Sequence, residues 1–301
     1  MLATLEVRVM PSPSSSLLRR LLLASLVALS ACSSTAAGPT PPVDSGPTDG
    51  SPTDSPVPTT AYKTHVILGD SISDGGGESP YFYDLLDKND DARYPAFAGK
   101  DLKTRYGADF SVLKRSKGGA TASGLVTQVR ALPTSLAGPV VVTITIGGND
   151  VQGALAKIMS TGDDSAERAD FTRLLDLSLA ELTKPARFGA GVEVTVLLAN
   201  IYDPSDGTGN FTYAPSAKKC GGALAYWPAS KPTTPLLEPW EKIVADVAAK
   251  YLQVKVLDLH GRYLGHGVAA TPTWFVSDCI HPNALGHDQI RGLFWDAVET
   301  L

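Results

Sequence analysis

A serine, a histidine and an aspartate stand where together they could perform acyl transfer. Ser71 follows the short apolar run His65-Val66-Ile67-Leu68 directly, in Gly69-Asp70-Ser71, and His281 lies three residues after Asp278. A serine in that position is usually only a turn former or a helix cap. It becomes a nucleophile when an imidazole removes its proton and a carboxylate holds that imidazole in the right tautomer. We therefore predict Ser71 as the nucleophile, His281 as the base and Asp278 as the partner of His281.

Two further polar blocks could stabilise the oxyanion of such a reaction. Gly118-Gly119 follows a second apolar run, and Asn149-Asp150 follows a third. The backbone N–H groups of Ser71 and Gly119 and the side-chain amide of Asn149 would supply three donors. Simpler interpretations exist for each block. Gly118-Gly119 could only permit a tight turn, Asn149-Asp150 could cap the following helix, and the histidine could be a surface residue beside a proline.

These four blocks, in this order, resemble the SGNH (GDSL-type) hydrolase family, and the resemblance spans Val66 to about Ile290. It implies a three-layer, flavodoxin-like α/β fold with a doubly wound parallel sheet, and ester hydrolysis without a metal or another cofactor. The residues that it assigns are Ser71 as nucleophile, Gly119 and Asn149 as oxyanion donors, and Asp278 and His281 as the rest of the triad.

The sequence departs from the family pattern in the second block. Either Gly118 or Gly119 could be the donor, since the motif is ambiguous by one residue. Lys114, Arg115 or Ser116 replaces the asparagine that the family usually has a few positions earlier. We expect this replacement to remove a supporting hydrogen bond.

Competing catalytic motifs are absent from the sequence, and the other histidines have simpler interpretations. No serine lies in Gly-x-Ser-x-Gly, and there is no His-Glu-x-x-His, P-loop or Gly-x-Gly-x-x-Gly. His65 is at the wrong end of its strand, and His287 lies within the last predicted helix. His260, with Asp258 nearby, could imitate a catalytic dyad, but no matching loop follows it.

The elements that must position these residues alternate between apolar strands and amphipathic helices, which favours a parallel sheet covered by helices on both sides. The third predicted strand is β-branched throughout, as is typical of a central strand buried on both faces. The predicted strands are His65–Gly69, Phe110–Lys114, Val140–Gly147, Val192–Asn200 and Lys255–Leu259. Helical periodicity is found in three sets: Phe171, Leu174, Leu175, Leu179 and Leu182; Trp240, Ile243, Val244, Val247 and Tyr251; and Ile290, Leu293, Phe294, Val298 and Leu301.

The N-terminal segment has the pattern of an export signal. Arg19-Arg20 precedes an apolar run from Leu21 to Ala31 that is too short to span a membrane. The run ends in Leu29-Ser30-Ala31-Cys32, which resembles a bacterial lipobox, although an ordinary secretory cleavage site is the alternative. We predict a signal peptide over residues 1–31 and lipidation of Cys32.

Residues 32–60 are predicted to be a disordered tether, and residues 61–301 a single hydrolase domain. The tether is rich in Pro, Gly, Ser, Thr and Asp, with no Lys or Arg, so it cannot bury enough apolar surface to fold. The predicted location is the bacterial cell envelope, on the outer membrane or the cell surface, through the lipid on Cys32. A net charge of −5 without a basic block argues against nucleic acid as a partner, and we expect a monomer.

The three cysteines predict one disulfide. If Cys32 carries a lipid, Cys220 and Cys279 remain, and an exported compartment is oxidising. We predict that they pair and join the long segment Tyr202–Pro239 to the loop that contains Asp278. Two free thiols, with that of Cys279 buried, are the alternative.

The sequence leaves the substrate open. We expect a small-molecule or carbohydrate ester. Acyl transfer to a carbohydrate hydroxyl and a non-catalytic surface-binding module are the alternatives. No broad apolar segment flanks Ser71 in the sequence, which disfavours long-chain lipids. Four aromatic residues in or near the long segment offer surfaces for a sugar or an aryl group, or are simply packed: Tyr213, Tyr226, Trp227 and Trp240.

Overall fold

A computed structural model of the chain describes residues 61–107, 109–228 and 231–301. The predicted signal peptide and tether, with Cys32, lie outside the described residues. In the described part of the chain the strands are β1 (Thr64–Gly69), β2 (Ser111–Lys114), β3 (Val140–Thr145), β4 (Val194–Ala199), β5 (Thr212–Tyr213), β6 (Lys218–Lys219) and β7 (Val254–Leu257).

In the described part of the chain, most helices lie between the strands in sequence. The helices are α1 (Ser71–Asp74), α2 (Phe82–Asp87), α3 (Leu102–Tyr106), α4 (Ala122–Arg130), α5 (Gly148–Thr161), α6 (Ser165–Leu182), α7 (Thr234–Ala248), α8 (Leu259–Tyr263) and α9 (Ala284–Glu299), with 3₁₀ helices at Pro95–Phe97 and Gly222–Tyr226. None of these helices combines the length and the apolar character needed to cross a membrane.

Five strands form a parallel sheet in the order β2-β1-β3-β4-β7, and β5 and β6 form a separate antiparallel ribbon. Counted among the sheet strands alone, this is the 2-1-3-4-5 order of flavodoxin-like folds, and it confirms the predicted fold class. The chain leaves β1 and β3 on opposite sides of the sheet, so a crevice opens where these two strands end. Gly69 and Thr145, the last residues of β1 and β3, are paired in register.

Both faces of the sheet are covered, as the β-branched composition of β3 predicted. Val140, Val142 and Ile144 pack in the core that includes side chains of α4, α5, α6 and α7. Val141 points the other way, into the core that includes α2 and α9. All six residues of β3 are buried. Two apolar layers, one on each side, therefore hold the sheet rigid beneath its loop-bearing edge.

The predicted helix boundaries need two adjustments. The predicted long loop extends to Pro239, but α7 already begins at Thr234. Pro235 stands in the first turn, where the missing N–H has no helical partner in any case. Tyr251 and Leu301, which we included in the second and third periodic sets, lie just beyond the ends of α7 and α9. Both side chains still pack against the core.

Candidate active site

Ser71 is the first residue of α1 and follows β1 after a single intervening residue. The link is Asp70, whose buried carboxylate accepts hydrogen bonds from the N–H of Ile72 at 3.0 Å and from Oγ1 of Thr145 at 2.9 Å. Burial raises the pKa of Asp70 to about 7. A Cβ on Gly69 would stand 2.0 Å from the carbonyl oxygen of Thr145, so only glycine lets the chain pass β3 at this point. Ser71 therefore stands on a fixed support.

His281 connects Ser71 to Asp278. Nε2 of His281 is 2.8 Å from Oγ of Ser71, and Nδ1 is 2.7 Å from Oδ2 of Asp278. Oδ1 of Asp278 accepts the backbone N–H groups of Ile280 and His281, each at 2.9 Å. These contacts place the carboxylate, the imidazole and the hydroxyl in one continuous chain. The structure thus brings together the three residues that the sequence assigned to the triad.

The negative charge of Asp278 and a positive charge on His281 stabilise each other. The hydrogen bond that Nδ1 of His281 donates to Asp278 raises the pKa of His281 above its ordinary value, although burial acts in the opposite direction. Burial alone would raise the pKa of Asp278. The hydrogen bonds from the side chain and backbone of His281 and from the backbone of Ile280 outweigh burial and hold that pKa below its usual range. Asp278 is therefore ionised near neutral pH and stabilises a proton on His281.

The glycine cluster after α1 makes room for the loop that carries His281. A Cβ on Gly76 would lie 2.4 Å from Cδ2 of His281 and 2.9 Å from Cβ of Ser71. Gly77, with φ of +101°, would bring a Cβ to 2.0 Å from the carbonyl oxygen of Pro282. The two loops approach each other this closely only because neither position carries a side chain.

The predicted oxyanion donors lie around a cleft that Ser71, Gly119, Asn149 and His281 all line. Gly118 donates its N–H to Oδ2 of Asp74 at 2.8 Å. Within the described residues the N–H of Gly119 has no hydrogen-bond partner, which makes Gly119 rather than Gly118 the available donor. Nδ2 of Asn149 donates to the carbonyl oxygen of Ala120 at 2.9 Å, which fixes the amide and leaves its second hydrogen for a ligand.

We expected the second block to lack a supporting hydrogen bond, but Ser116, one of the residues in place of the family's asparagine, makes one. Oγ of Ser116 donates to the carbonyl oxygen of Ser73 at 2.7 Å, joining this loop to α1. Lys114 extends away from that bond: its Nζ is 2.9 Å from the hydroxyl of Tyr83 and 3.6 Å from Oδ1 of Asp74. The loop that carries Gly119 is therefore attached to the helix that carries Ser71.

Asp150 caps a helix other than the one that the simpler interpretation assigned. The residue at the N-cap of α5 is Gly147. Both carboxylate oxygens of Asp150 accept the N–H of Ala122 at 3.1 Å, at the start of α4. Burial raises the pKa of this carboxyl to about 6. Asp150 thus connects the third block to the second.

The other histidines that the sequence analysis discussed lie in structural networks. Nδ1 of His65 is 2.7 Å from Oδ1 of Asp87 within the sheet core, far from the crevice end of β1. His287 is buried in α9 with Nε2 2.9 Å from the carbonyl oxygen of Gly76, and burial lowers its pKa to about 4. His260 pairs with Glu241 on α7 rather than with Asp258, which instead caps α8. Glu241 lies 19 residues before His260 in sequence, so local spacing could not indicate this pair.

The structure contains the expected disulfide between Cys220 and Cys279, with Cα atoms 5.8 Å apart. Cys220 follows β6 directly, and Cys279 is adjacent to Asp278. The bond therefore attaches the β5–β6 ribbon to the loop that carries two triad residues.

The four aromatic residues have different environments. Trp240 is fully buried and packs on Phe171, so for this residue the alternative of simple packing holds. Trp227 is 4% exposed and lines a pocket beside Ser71, whereas Tyr226 is 79% exposed. The hydroxyl of Tyr213 donates to the carbonyl oxygen of Phe275. All four belong to or flank one long segment, and only the tertiary packing distinguishes them.

The sequence analysis missed Tyr202, which supports the triad loop. Its hydroxyl donates to the carbonyl oxygen of Ile280 at 2.6 Å, and its ring stacks on that of Tyr263. Tyr202 follows β4 closely, at the same edge of the sheet as the four blocks. Its position after β4 could have indicated in the sequence that Tyr202 lies near the site. In the described part of the chain no group of three or more His, Cys, Asp or Glu side chains is arranged to hold a metal ion.

Comparisons with known proteins agree with this geometry. The model of the GDSL-like lipase/acylhydrolase family matches residues 67–289, whereas a comparison with curated protein sequences finds no match. Three solved structures share the fold, each with a TM-score of 0.50. A lipase from a goat rumen metagenome is 17% identical, covering 78% of this chain and 96% of its own. An α/β hydrolase from the metagenome of Lake Arreo, Spain, is 21% identical (80% and 96%), and an acetylxylan esterase from Geobacillus stearothermophilus is 17% identical (80% and 95%).

Proposed function

Because this chain belongs to the GDSL-like lipase/acylhydrolase family and is an ester-hydrolysing enzyme, we propose that it cleaves a carboxylic ester through an acyl intermediate on Ser71. The observation that carries the proposal is the continuous chain from Oγ of Ser71 through the imidazole of His281 to Asp278, with distances of 2.8 and 2.7 Å. A surface-binding module that had lost turnover would have no use for this alignment.

The first half of the reaction forms the acyl-enzyme. Oγ of Ser71 attacks the ester carbonyl carbon while Nε2 of His281 takes the hydroxyl proton, and Asp278 stabilises the resulting imidazolium. The oxyanion of the tetrahedral intermediate accepts hydrogen bonds from the N–H groups of Ser71 and Gly119 and from the free amide hydrogen of Asn149. As the intermediate collapses, His281 returns its proton to the leaving alcohol oxygen.

The second half releases the acid. Water occupies the place of the alcohol and loses a proton to His281 as it attacks the acyl carbon. Collapse of the second tetrahedral intermediate then returns the proton to Oγ of Ser71. A carbohydrate hydroxyl in place of water would give transfer instead of hydrolysis.

We expect the intermediate to be trapped on Ser71. The enzyme is mixed with p-nitrophenyl acetate, quenched in acid within the first turnovers and digested for mass spectrometry. The peptide that contains Ser71 should gain one acetyl group, and unlabelled peptide from an enzyme with demonstrated turnover would contradict the proposal. Repeating the assay with an added sugar distinguishes the two acceptors: p-nitrophenol is released in both cases, but the acetyl group appears as acetate after hydrolysis and as acetylated sugar after transfer.

We also propose that the enzyme acts in the cell envelope, held by a lipid on Cys32. The apolar run before Leu29-Ser30-Ala31-Cys32 and the tether composition after it support this proposal. Wild-type enzyme should partition with membranes, whereas Cys32→Ser should remain unlipidated and partition away from them, because a lipid anchor needs the thiol. Ser33→Ala is the matched control. An unmodified residue at the mature N-terminus of the wild type, found by mass spectrometry, would overturn this assignment.

A further inference from the structure

Ser71 lies between two spaces of different chemistry. The first, the apolar pocket, is lined mainly by aliphatic and aromatic side chains. Its principal walls are Ile201, Phe211, Leu224, Trp227, Leu236 and Leu259. The second, the glycine cleft, is bordered by Gly75, Gly76, Gly118, Gly119 and His281. Ser71 and Asn149 border both spaces.

The position of His281 determines which part of an ester enters which space. Its imidazole must deliver a proton to the leaving alcohol oxygen, and it lines the glycine cleft but not the apolar pocket. The alcohol therefore leaves through the glycine cleft. The oxyanion is directed at the donors, so the acyl substituent takes the remaining direction from the carbonyl carbon. That direction leads into the apolar pocket.

We infer that the apolar pocket binds an acyl chain of several methylenes and that Trp227 limits the length of this chain. The inference rests on the proposed function and deepens it, because it assigns a substrate class to the same site. It differs from the expectation drawn from the sequence, where the absence of a broad apolar segment beside Ser71 disfavoured long-chain lipids. The pocket walls come from loops and helices that are far apart along the chain.

Trp227 has the contacts of a fixed wall. Its Nε1 donates to the carbonyl oxygen of Lys231 at 2.7 Å. Its ring meets that of Phe211 edge to face, with centroids 6.4 Å apart. A Cβ on Gly209 would stand 2.8 Å from Nε1, so the backbone closes against the indole on another side. An apolar chain that reaches Trp227 would have to displace a buried and hydrogen-bonded ring.

Asp203 also lines the apolar pocket, and protein donors already occupy both oxygens of its carboxylate. Oδ1 of Asp203 accepts the backbone N–H of Ser205 at 2.7 Å and its hydroxyl at 2.8 Å. Oδ2 accepts the N–H of Gly207 at 3.0 Å and the hydroxyl of Thr233. With both oxygens engaged by protein donors, Asp203 does not require a polar ligand. An apolar occupant is therefore compatible with this lining.

The roof of the pocket is attached to the catalytic loop. Phe211 lies next to β5, and Leu224 and Trp227 follow Cys220 by a few residues. The bond from Cys220 to Cys279 joins this segment to the residue beside Asp278. The segment that lines the pocket is thus covalently joined to the loop that carries Asp278 and His281. This link favours a pocket of defined length over an open groove.

The test measures kcat/KM for p-nitrophenyl esters from acetyl to dodecanoyl. Each methylene removed from water is expected to raise kcat/KM about fourfold while the chain remains in the pocket. Hexanoyl should thus exceed acetyl by roughly 10²-fold, and the increase should stop at a definite length. A hexanoyl-to-acetyl ratio at or below one would overturn the inference and leave the proposed function intact. Failure of the folded enzyme to cleave any member of the series would instead contradict the proposed function.

Two variants test the walls. Leu236→Trp, at a half-buried position across the pocket, should lower the hexanoyl-to-acetyl ratio at least tenfold. Trp227→Ala should move the preferred length towards decanoyl and dodecanoyl. Leu252→Trp, on a fully exposed side chain outside the pocket, is the matched control and should keep the wild-type profile. If the profile stays unchanged in folded Leu236→Trp, the chain does not enter this pocket. If it stays unchanged in folded Trp227→Ala, Trp227 does not limit its length.

Discussion

Ser71→Ala is expected to lower kcat for ester hydrolysis on the order of 10⁶-fold, since residues of a triad act as a unit. The variant removes the oxygen that attacks the carbonyl and leaves Nε2 of His281 without the hydroxyl that donates to it at 2.8 Å. The oxyanion donors and the apolar pocket remain, so substrate should still bind. The measurement is hydrolysis of p-nitrophenyl hexanoate, with a binding assay on the same protein.

Ser123→Ala is the control for this variant. Ser123 is an exposed residue of α4 whose side chain contacts neither the triad nor the oxyanion donors, so its removal should leave turnover at the wild-type rate. A folded Ser71→Ala enzyme with ordinary turnover would remove Ser71 from the mechanism. A second serine near the site, Ser73, would not be an immediate substitute, because it is buried and bonded to Thr145.

Much of this site was predictable because its residues occupy fixed positions relative to the strand ends. Once a parallel sheet is inferred, the residues that follow β1 and β3 must meet at one edge. His281 and Asp278 are three residues apart, so one loop could present both. These two arguments place Ser71 with Asn149 and His281 with Asp278, and the resemblance to the hydrolase family joins the two pairs.

Other features depend on packing between residues that are far apart in sequence, which local sequence patterns do not indicate. The sequence analysis placed Leu236 in the long segment and Trp240 at the start of a helical periodic set, but both lie on α7, four residues apart. In the fold, Leu236 lines the apolar pocket whereas Trp240 is fully buried against Phe171. The pocket itself is assembled from segments that follow β1, β3, β4, β6 and β7, none of which is broadly apolar by itself. The absence of such a segment near Ser71 disfavoured long-chain lipids, and the acyl chain of several methylenes that we infer departs from that expectation.

Asp278→Asn is expected to lower kcat by about 10⁴-fold, because an amide holds the imidazole in the wrong tautomer and cannot stabilise its charge. The variant should also change the pH dependence in a definite direction. His281 acts as a base only when it is unprotonated, so kcat/KM of the wild type falls as the pH drops through the pKa of His281. The hydrogen bond that His281 donates to Asp278 raises that pKa. Its removal should move the acid limb of the profile to lower pH.

The pH profile separates a role in positioning and charge from a merely structural one. A variant that only loosened the fold would lose activity at every pH and keep the acid limb in place. Asp296→Asn, which alters an exposed carboxylate paired with Arg262 on α8, is the matched substitution and should leave both kcat and the acid limb unchanged. If Asp278→Asn lost less than tenfold in kcat and kept the wild-type acid limb, another group would have to orient His281. Because Oδ1 of Asp278 also holds the backbone N–H groups of Ile280 and His281, asparagine, which keeps an oxygen there, is a better test than alanine.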